Sequence, residues 1–335
     1  SGSAVAELGS DKKVDFTLTG GDIPQRVAAF YRVGGSAEYD SVEATGQSGS
    51  YSFTIPKNKV TEKGIDYYIK AYYNNIENTI RASGNKNLSL QIKIPEITIP
   101  TKLERKIYSM FSVIDFESST LFEQLINNFG SVNPKIWRAF NWRLIRYDEI
   151  LDNLWNFGSG DGFWLITNTE TEYLKLTNLI TTPTGEPFKL TLSPGWNQIG
   201  NPFLFPVALS DIVLPSNVEN VFWKWDETIQ NYDIERNYLS PWKGYLIKNN
   251  NLLPVDLTIH PVAYTPQKAK VNTTGEWSVN LKVTSGVGVI KYLEMGALNN
   301  GDNLRDKYDA GKAPEAPEPV LTAHFKMQYS NNDEL

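Results

Sequence analysis

Apolar and polar residues alternate along much of this chain in short runs that stop at Gly, Pro or Asn. Ser50-Tyr51-Ser52-Phe53-Thr54-Ile55 alternates with a period of two and stops at Pro56. Arg26 to Val33 ends at Gly34-Gly35, Asp66 to Tyr73 ends at Asn74-Asn75, and Leu88 to Ile94 closes the series. A period of two turns one face of a strand to a core and the other to water. Short strands at this spacing, divided by turn residues, predict a β-sandwich over residues 12–95. Tyr31, Phe53, Tyr67 and Ile69 are expected in its core. Residues 1–11 are small and polar and read as a tag and linker. Pro95, Pro100 and the β-branched residues between them read as an extended linker to a second module.

Residues 103–260 carry a degenerate repeat. The first copy runs Tyr108-Ser109-Met110-Phe111-Ser112-Val113, then Leu144-Ile145-Arg146-Tyr147-Asp148, then Gly162-Phe163-Trp164-Leu165-Ile166-Thr167-Asn168. The second runs Trp196-Asn197-Gln198-Ile199-Gly200, then Phe222-Trp223-Lys224-Trp225-Asp226, then Gly244-Tyr245-Leu246-Ile247-Lys248-Asn249. The order recurs after roughly 80 residues, a longer period than solenoid repeats have. Two copies cannot build an array, so they are expected to pack as two halves of one domain. The equivalence so drawn pairs Leu144 to Tyr147 with Phe222 to Trp225. Leu121, Phe122, Leu125 and Ile126 lie at helical spacing, which predicts a helix from Ser119 to Asn128, with Leu209 to Val213 at the matching point.

The third part, residues 263–335, offers an alternating strand at Glu276 to Val283, a polar stretch from Asn299 to Asp309, a Pro-rich run from Ala313 to Pro319 and a last strand at Leu321 to Lys326. So short a piece is thin for a sandwich of its own, so it is read as incomplete or as borrowing edges from its neighbours. The fold class is therefore mainly β: an immunoglobulin-like sandwich, a Trp-rich duplicated β module with short helices, and a C-terminal β segment.

Charge and composition narrow the chemistry. The formal net charge is −6 and no basic run occurs, which argues against a nucleic-acid surface. With no cysteine, disulfides and thiol chemistry are excluded. No apolar run reaches the length of a membrane span. The opening Ser1-Gly2-Ser3 and the lack of an initiator Met suggest an excised piece of a longer protein.

Candidate chemistries each meet a plainer reading. His260 and His324 are the two histidines, and no G-x-S-x-G turn accompanies them, so a nucleophilic triad is not expected. Gly158-Ser159-Gly160-Asp161-Gly162 is glycine-rich, but a strand-like run comes after it, which predicts a turn rather than a phosphate loop. Asp148 with Glu149 and Asp226 with Glu227 fall at matching repeat positions and would be the carboxylates of a glycoside hydrolase; a shared turn accounts for them more simply. Asp302, Asp306 and Asp309 supply oxygen ligands for calcium, although the spacing is not that of a helix-loop-helix site. No other cofactor is expected. Among the tryptophans, Trp142, Trp164, Trp196 and Trp223 sit in apolar runs and are expected in the core. Trp137, Trp155, Trp225 and Trp242 border polar or turn residues and are the candidates for exposure and for stacking on sugar rings.

Two stretches resemble known modules. Tyr31-Arg32-Val33-Gly34-Gly35, Tyr51 to Pro56 and Gly64-Ile65-Asp66-Tyr67-Tyr68-Ile69 resemble immunoglobulin-like domains of large secreted bacterial proteins. Trp142-Arg143-Leu144-Ile145-Arg146-Tyr147, Gly162 to Ile166 and Pro194-Gly195-Trp196-Asn197-Gln198-Ile199-Gly200-Asn201-Pro202-Phe203 resemble a module of extracellular proteins from Bacteroidetes-like and Ignavibacteria-like bacteria. Some of those proteins carry a subtilisin-type protease upstream and a type IX secretion signal downstream. The resemblance implies a non-catalytic structural or interaction region, secreted or at the cell surface. Its partner would be a neighbouring domain, an upstream protease for example, or another surface protein. The alternatives are a carbohydrate-binding module that takes a glycan on exposed Trp and, more weakly, a carboxylate-based glycoside hydrolase.

Overall fold

The computed structural model describes residues 4–20, 22–74, 76–143, 145–169, 173–265, 275–284, 290–298 and 313–317. The first part is a sandwich of two sheets. Its strands are β1 (Ala4–Glu7), β2 (Lys12–Thr17), β3 (Arg26–Val33), β4 (Asp40–Glu43), β5 (Thr45–Gln47), β6 (Ser50–Ile55), β7 (Ile65–Tyr73), β8 (Ile76–Ile80) and β9 (Leu88–Lys102). The larger sheet runs β1-β9-β7-β3-β4, with β8 also on β7; the smaller runs β2-β6-β5. The alternation in β6 buries Tyr51, Phe53 and Ile55 and leaves Thr54 in water. Phe53 and Ile55 meet Tyr31, Ile65, Tyr67, Leu90 and Ile92 of the other sheet. Ile69 joins a smaller cluster with Val27 and Tyr51. One carboxylate, Asp66, is buried beside this core. Arg32 pairs with it at 2.9 Å and the Tyr39 hydroxyl donates to it at 3.0 Å, so the charge is compensated.

The Trp-rich part holds two small sheets of like topology. The first uses β10 (Ser109–Ser112), β11 (Trp137–Arg143), β12 (Arg146–Glu149) and β13 (Gly162–Thr167), in the order β10-β13-β11-β12. After β14 (Tyr173–Ile180) and β15 (Phe188–Leu192), the second uses β16 (Gly195–Gly200), then, beyond β17 (Val207–Ala208) and β18 (Ile212–Val213), β19 (Phe222–Asp226) and β20 (Asn231–Glu235). It closes, after β21 (Tyr238–Leu239), with β22 (Gly244–Asn249), in the order β16-β22-β19-β20. The two orders are the same, so the halves share one topology. Strand β23 (Val255–Ile259) pairs with β15 and β18 beneath the second half, and β24 (Gly275–Thr284) pairs with β25 (Ile290–Leu298).

The strand equivalence differs from the one the sequence words suggest. Phe140 faces Trp164 across β11 and β13, and Trp223 faces Leu246 across β19 and β22. The partner of Phe222 to Asp226 is thus β11, not Leu144 to Tyr147. Ile145 sits in the turn between β11 and β12, and Arg146 begins the return strand. Trp142 and Trp225 become equivalent, as do Tyr147 and Tyr232, because Trp142 lies opposite Tyr147 in one hairpin and Trp225 opposite Tyr232 in the other. The predicted helix is α1 (Leu121–Phe129). Thr120 caps it and Glu123 reaches back to the Thr120 N–H, so two orphan donors are satisfied. The second copy has a short 3-10 turn, Leu209–Asp211, at that point.

Two expectations at the boundaries change. Within residues 1–11, Ala4–Glu7 is not linker but a strand parallel to β9. The expected linker at Pro95 to Pro100 is extended, but it is the second half of β9, and β14 pairs with it from Lys93 to Lys102. The sandwich is therefore not independent of the repeats; one sheet runs through both. Proline is tolerated because this stretch pairs with β14 alone. At Pro95, which has no N–H to give, the opposing Asn178 takes a left-handed backbone (φ 56°). Further bonds close the seam. Thr181 N–H donates to the Ile92 carbonyl at 3.0 Å and Gly185 N–H to the Ser89 hydroxyl at 2.9 Å. Ala263 N–H donates to the Gly35 carbonyl at 2.9 Å. Gly35 has φ 81°, and a Cβ there would stand 2.6 Å from that of Ala263, so the second glycine of the Gly34-Gly35 pair is needed for docking as well as for the turn.

Candidate interface between the two repeats

The two small sheets meet across an approximate twofold axis. Gly200 N–H donates to the Gly160 carbonyl at 2.7 Å, and its counterpart Ser112 N–H donates to the Trp242 carbonyl at 2.9 Å. The bridges Asp161 with Ile199 and Lys243 with Phe111 are a second related pair. In these two pairs each contact in one direction has its partner in the other, as in an isologous interface. Its axis passes close to Ser112 and Gly200, where a Cβ on Gly200 would lie 1.9 Å from that of Ser112.

Beside this axis the sheets enclose aromatic rings at right angles. The Trp164 and Trp225 rings are 5.0 Å apart at 80°, and Tyr232 lies 5.1 Å from Trp225 at 79°. Tyr147 is edge-on to Trp164 at 6.3 Å. Such edge-to-face pairs stabilise beyond the area they bury. Trp225 Nε1 donates to the Tyr108 carbonyl at 2.8 Å. The two symmetry-related tyrosine hydroxyls touch at 3.4 Å. Burial pushes the Tyr147 hydroxyl up to about 12 and that of Tyr232 well above its ordinary value. Both phenols stay protonated across the physiological range, so one hydroxyl donates to the other as a neutral group. Ala313 and Ala316, from the Pro-rich run, are buried against this cluster.

Of the four tryptophans predicted for exposure, three are buried: Trp137 at 3%, Trp225 at 1% and Trp242 at 6%. Polar sequence neighbours misplaced Trp137 and Trp225, because in a strand the next residue points to the other face and says little about the ring itself. Trp242 sits in a turn (φ 65°) whose ring packs into the core. Trp155 is half-buried, stacked on Phe157 and covered by the Arg143 guanidinium 3.9 Å from its ring centre. The four do not gather into one surface. Trp164 and Tyr147 lie in the repeated words and Tyr232 in none, but nothing in the sequence joins the three; what joins them is the hairpin pairing, visible only once the turns are known. Asp302, Asp306 and Asp309 lie outside the described residues. Among the described residues no group of three His, Asp or Glu side chains is placed to hold a metal ion.

The acidic pairs are engaged in local structure. Glu149 takes two hydrogen bonds from Arg138, and Asp148 takes one from Arg146 Nε at 2.8 Å. Asp226 accepts from Thr228 N–H at 2.8 Å in a turn, and Glu227 pairs with Lys243 at 3.3 Å. Asp148 and Asp226 are not equivalent: Asp148 is on a return strand and Asp226 ends β19. The glycine-rich loop is a turn that enters β13. Its Asp161 is raised to about 6, by burial first, then by the nearby Asp115 charge, against the Gly158 N–H that donates to it. A carboxyl raised in the folded state binds its proton more tightly there than in the unfolded chain. Stability from this group is present below pH about 4 and declines as pH rises towards about 6. Asp161→Asn should therefore raise stability at pH 7 by about 1–3 kcal/mol and leave it nearly unchanged at pH 4. Urea melts at the two pH values check this; equal gains at both would assign the effect to something other than the charge.

No protein-family model matches the chain, and neither does any curated protein. Among solved structures it is similar to Escherichia coli alpha-2-macroglobulin activated by porcine elastase. The identity is 10% and the TM-score 0.20, over 90% of this chain and 30% of that one. A trypsin-activated alpha-2-macroglobulin from Escherichia coli is similar at 11% identity and TM-score 0.20, over 90% of this chain and 23% of that one. The chain thus spans less than a third of the length of those proteins, and at this distance the likeness carries neither fold nor function. Among the described residues no helix is long and apolar enough to cross a membrane.

Proposed function

We propose that this chain is a non-catalytic structural and interaction region of a secreted, multidomain bacterial protein, accessory to a neighbouring domain such as a protease. What supports this reading most is β9: one strand is shared between the sandwich and the repeats, with further backbone bonds at Thr181, Gly185 and Ala263. Such a joint holds two modules in a fixed relation, which suits a spacer. Trp137, Trp164, Trp225 and Trp242 are buried in packing, and the acidic pairs serve local contacts. A glycan array and a panel of chromogenic glycosides and peptides, run on the purified chain, test the proposal, and no binding or turnover is expected. Saturable glycan binding that Trp155→Ala removes while the chain stays folded would favour the carbohydrate-binding alternative. Turnover lost on replacing a single Asp or Glu would make the chain an enzyme.

A further inference from the structure

The sequence from Ala313 reads Ala-Pro-Glu-Ala-Pro-Glu-Pro, a three-residue period. The described part, residues 313–317, is neither helix nor strand. Its burial has the same period: Ala313 and Ala316 are 6% exposed, while Pro314, Glu315 and Pro317 are half-buried. A residue before proline is confined to the extended and polyproline II regions. Polyproline II has three residues per turn, so residues i and i+3 share a face. The segment therefore behaves as a short polyproline II helix that lays its alanine face on a wall of rings. That wall is the seam between the repeats, with Trp164 and Trp225 at its centre and Tyr147, Tyr232 and Trp223 around them. Grooves lined by aromatic rings recognise polyproline II ligands because the ligand is stiff before it binds. Glu315 lies near enough to Tyr147 and Tyr232 for its charge to act on both phenols, which fixes where the acidic position falls.

We propose that the aromatic seam is a binding groove for an Ala-Pro-acidic-Ala-Pro peptide in the polyproline II form, and that the chain's own residues 313–317 occupy it as an internal latch. This goes beyond the structural reading above and does not depend on the absence of catalysis. Both alanine methyls are buried in the ring cluster, and the prolines favour the threefold twist that returns a methyl to the wall every third residue. A segment tethered to its own groove competes at an effective concentration on the order of millimolar, so a free peptide enters only when the latch is weakened or outcompeted.

The full chain with Ala313→Arg and Ala316→Arg together expels the segment. A fluorescein-labelled peptide covering residues 311–319 should then bind in fluorescence anisotropy at least tenfold more tightly than it binds the unaltered chain. The same peptide with both alanines changed to Arg should not bind. A folded double variant that binds the peptide no better than the unaltered chain overturns the proposal. The chain lacks cysteine, so Ala316→Cys provides a unique thiol and a second measurement that leaves the groove filled. Millimolar unlabelled peptide should speed thiol labelling at this position several-fold, since displacement of the latch exposes it. If the double variant does not fold, this measurement decides: a labelling rate indifferent to the peptide rejects the groove.

Discussion

Trp225→Ala should lower the unfolding free energy by about 3–5 kcal/mol, the range for removing a large ring from a packed core. Its ring is 1% exposed, stands edge-on to Trp164 and Tyr232, and gives its Nε1 proton to the Tyr108 carbonyl. Truncation opens a cavity between the repeats and also removes the Trp225 donor from that carbonyl, a further cost. Trp155→Ala is the control: its ring is partly in water and held by Arg143, so a loss of about 1 kcal/mol, in line with an exposed cation–π contact, is expected. Denaturant unfolding of both variants separates the two sites. If Trp225→Ala melts like the unaltered chain, the ring lies outside the core and the sugar-platform alternative regains its anchor.

Gly200→Ala should cost more than a typical small-to-large change, which is about 1–3 kcal/mol. Its new methyl would fall 1.9 Å from the Ser112 Cβ, a distance at which one backbone must move. Because Ser112 is the counterpart across the axis, Ser112→Gly should rescue the variant. The double variant is expected to recover at least half of the loss, with a coupling energy of about 1 kcal/mol or more, as neighbours sharing one space show. Additive losses would mean that the two positions do not face each other, and the twofold arrangement of the repeats would fall with them.

Much of this fold is legible in the chain because its information is local. In β6 the alternation alone places Tyr51, Phe53 and Ile55 inside, and Thr120 with Glu123 announces the start of α1. The duplication is legible for a similar reason: Gly162-Phe163-Trp164 and Gly244-Tyr245-Leu246 keep their spacing to a close-approach glycine. Pairing is the part that fails. Leu144 to Tyr147 resembles Phe222 to Trp225 in hydrophobicity, but the turn at Ile145 shifts the comparison by a whole strand. Pro95 and Pro100 signal a break only where a strand needs donors on both sides, and β9 needs them on one. The groove was hidden for a different reason. It is made by residues from both repeats together with Ala313 and Ala316, and no window of sequence contains them all.

Strand β9 also decides how this region would carry mechanical load. Because β1 lies parallel to β9, a pull that separates Ala4 from Lys102 slides the two strands past each other along their length. Their bonds between Ala4–Glu7 and Leu90–Lys93 are then strained together rather than one after another, as they would be if the strands were peeled apart. Force applied along this line is shared across the ladder before any of it reaches the aromatic seam, so the sandwich acts as a clasp at the mouth of the repeats.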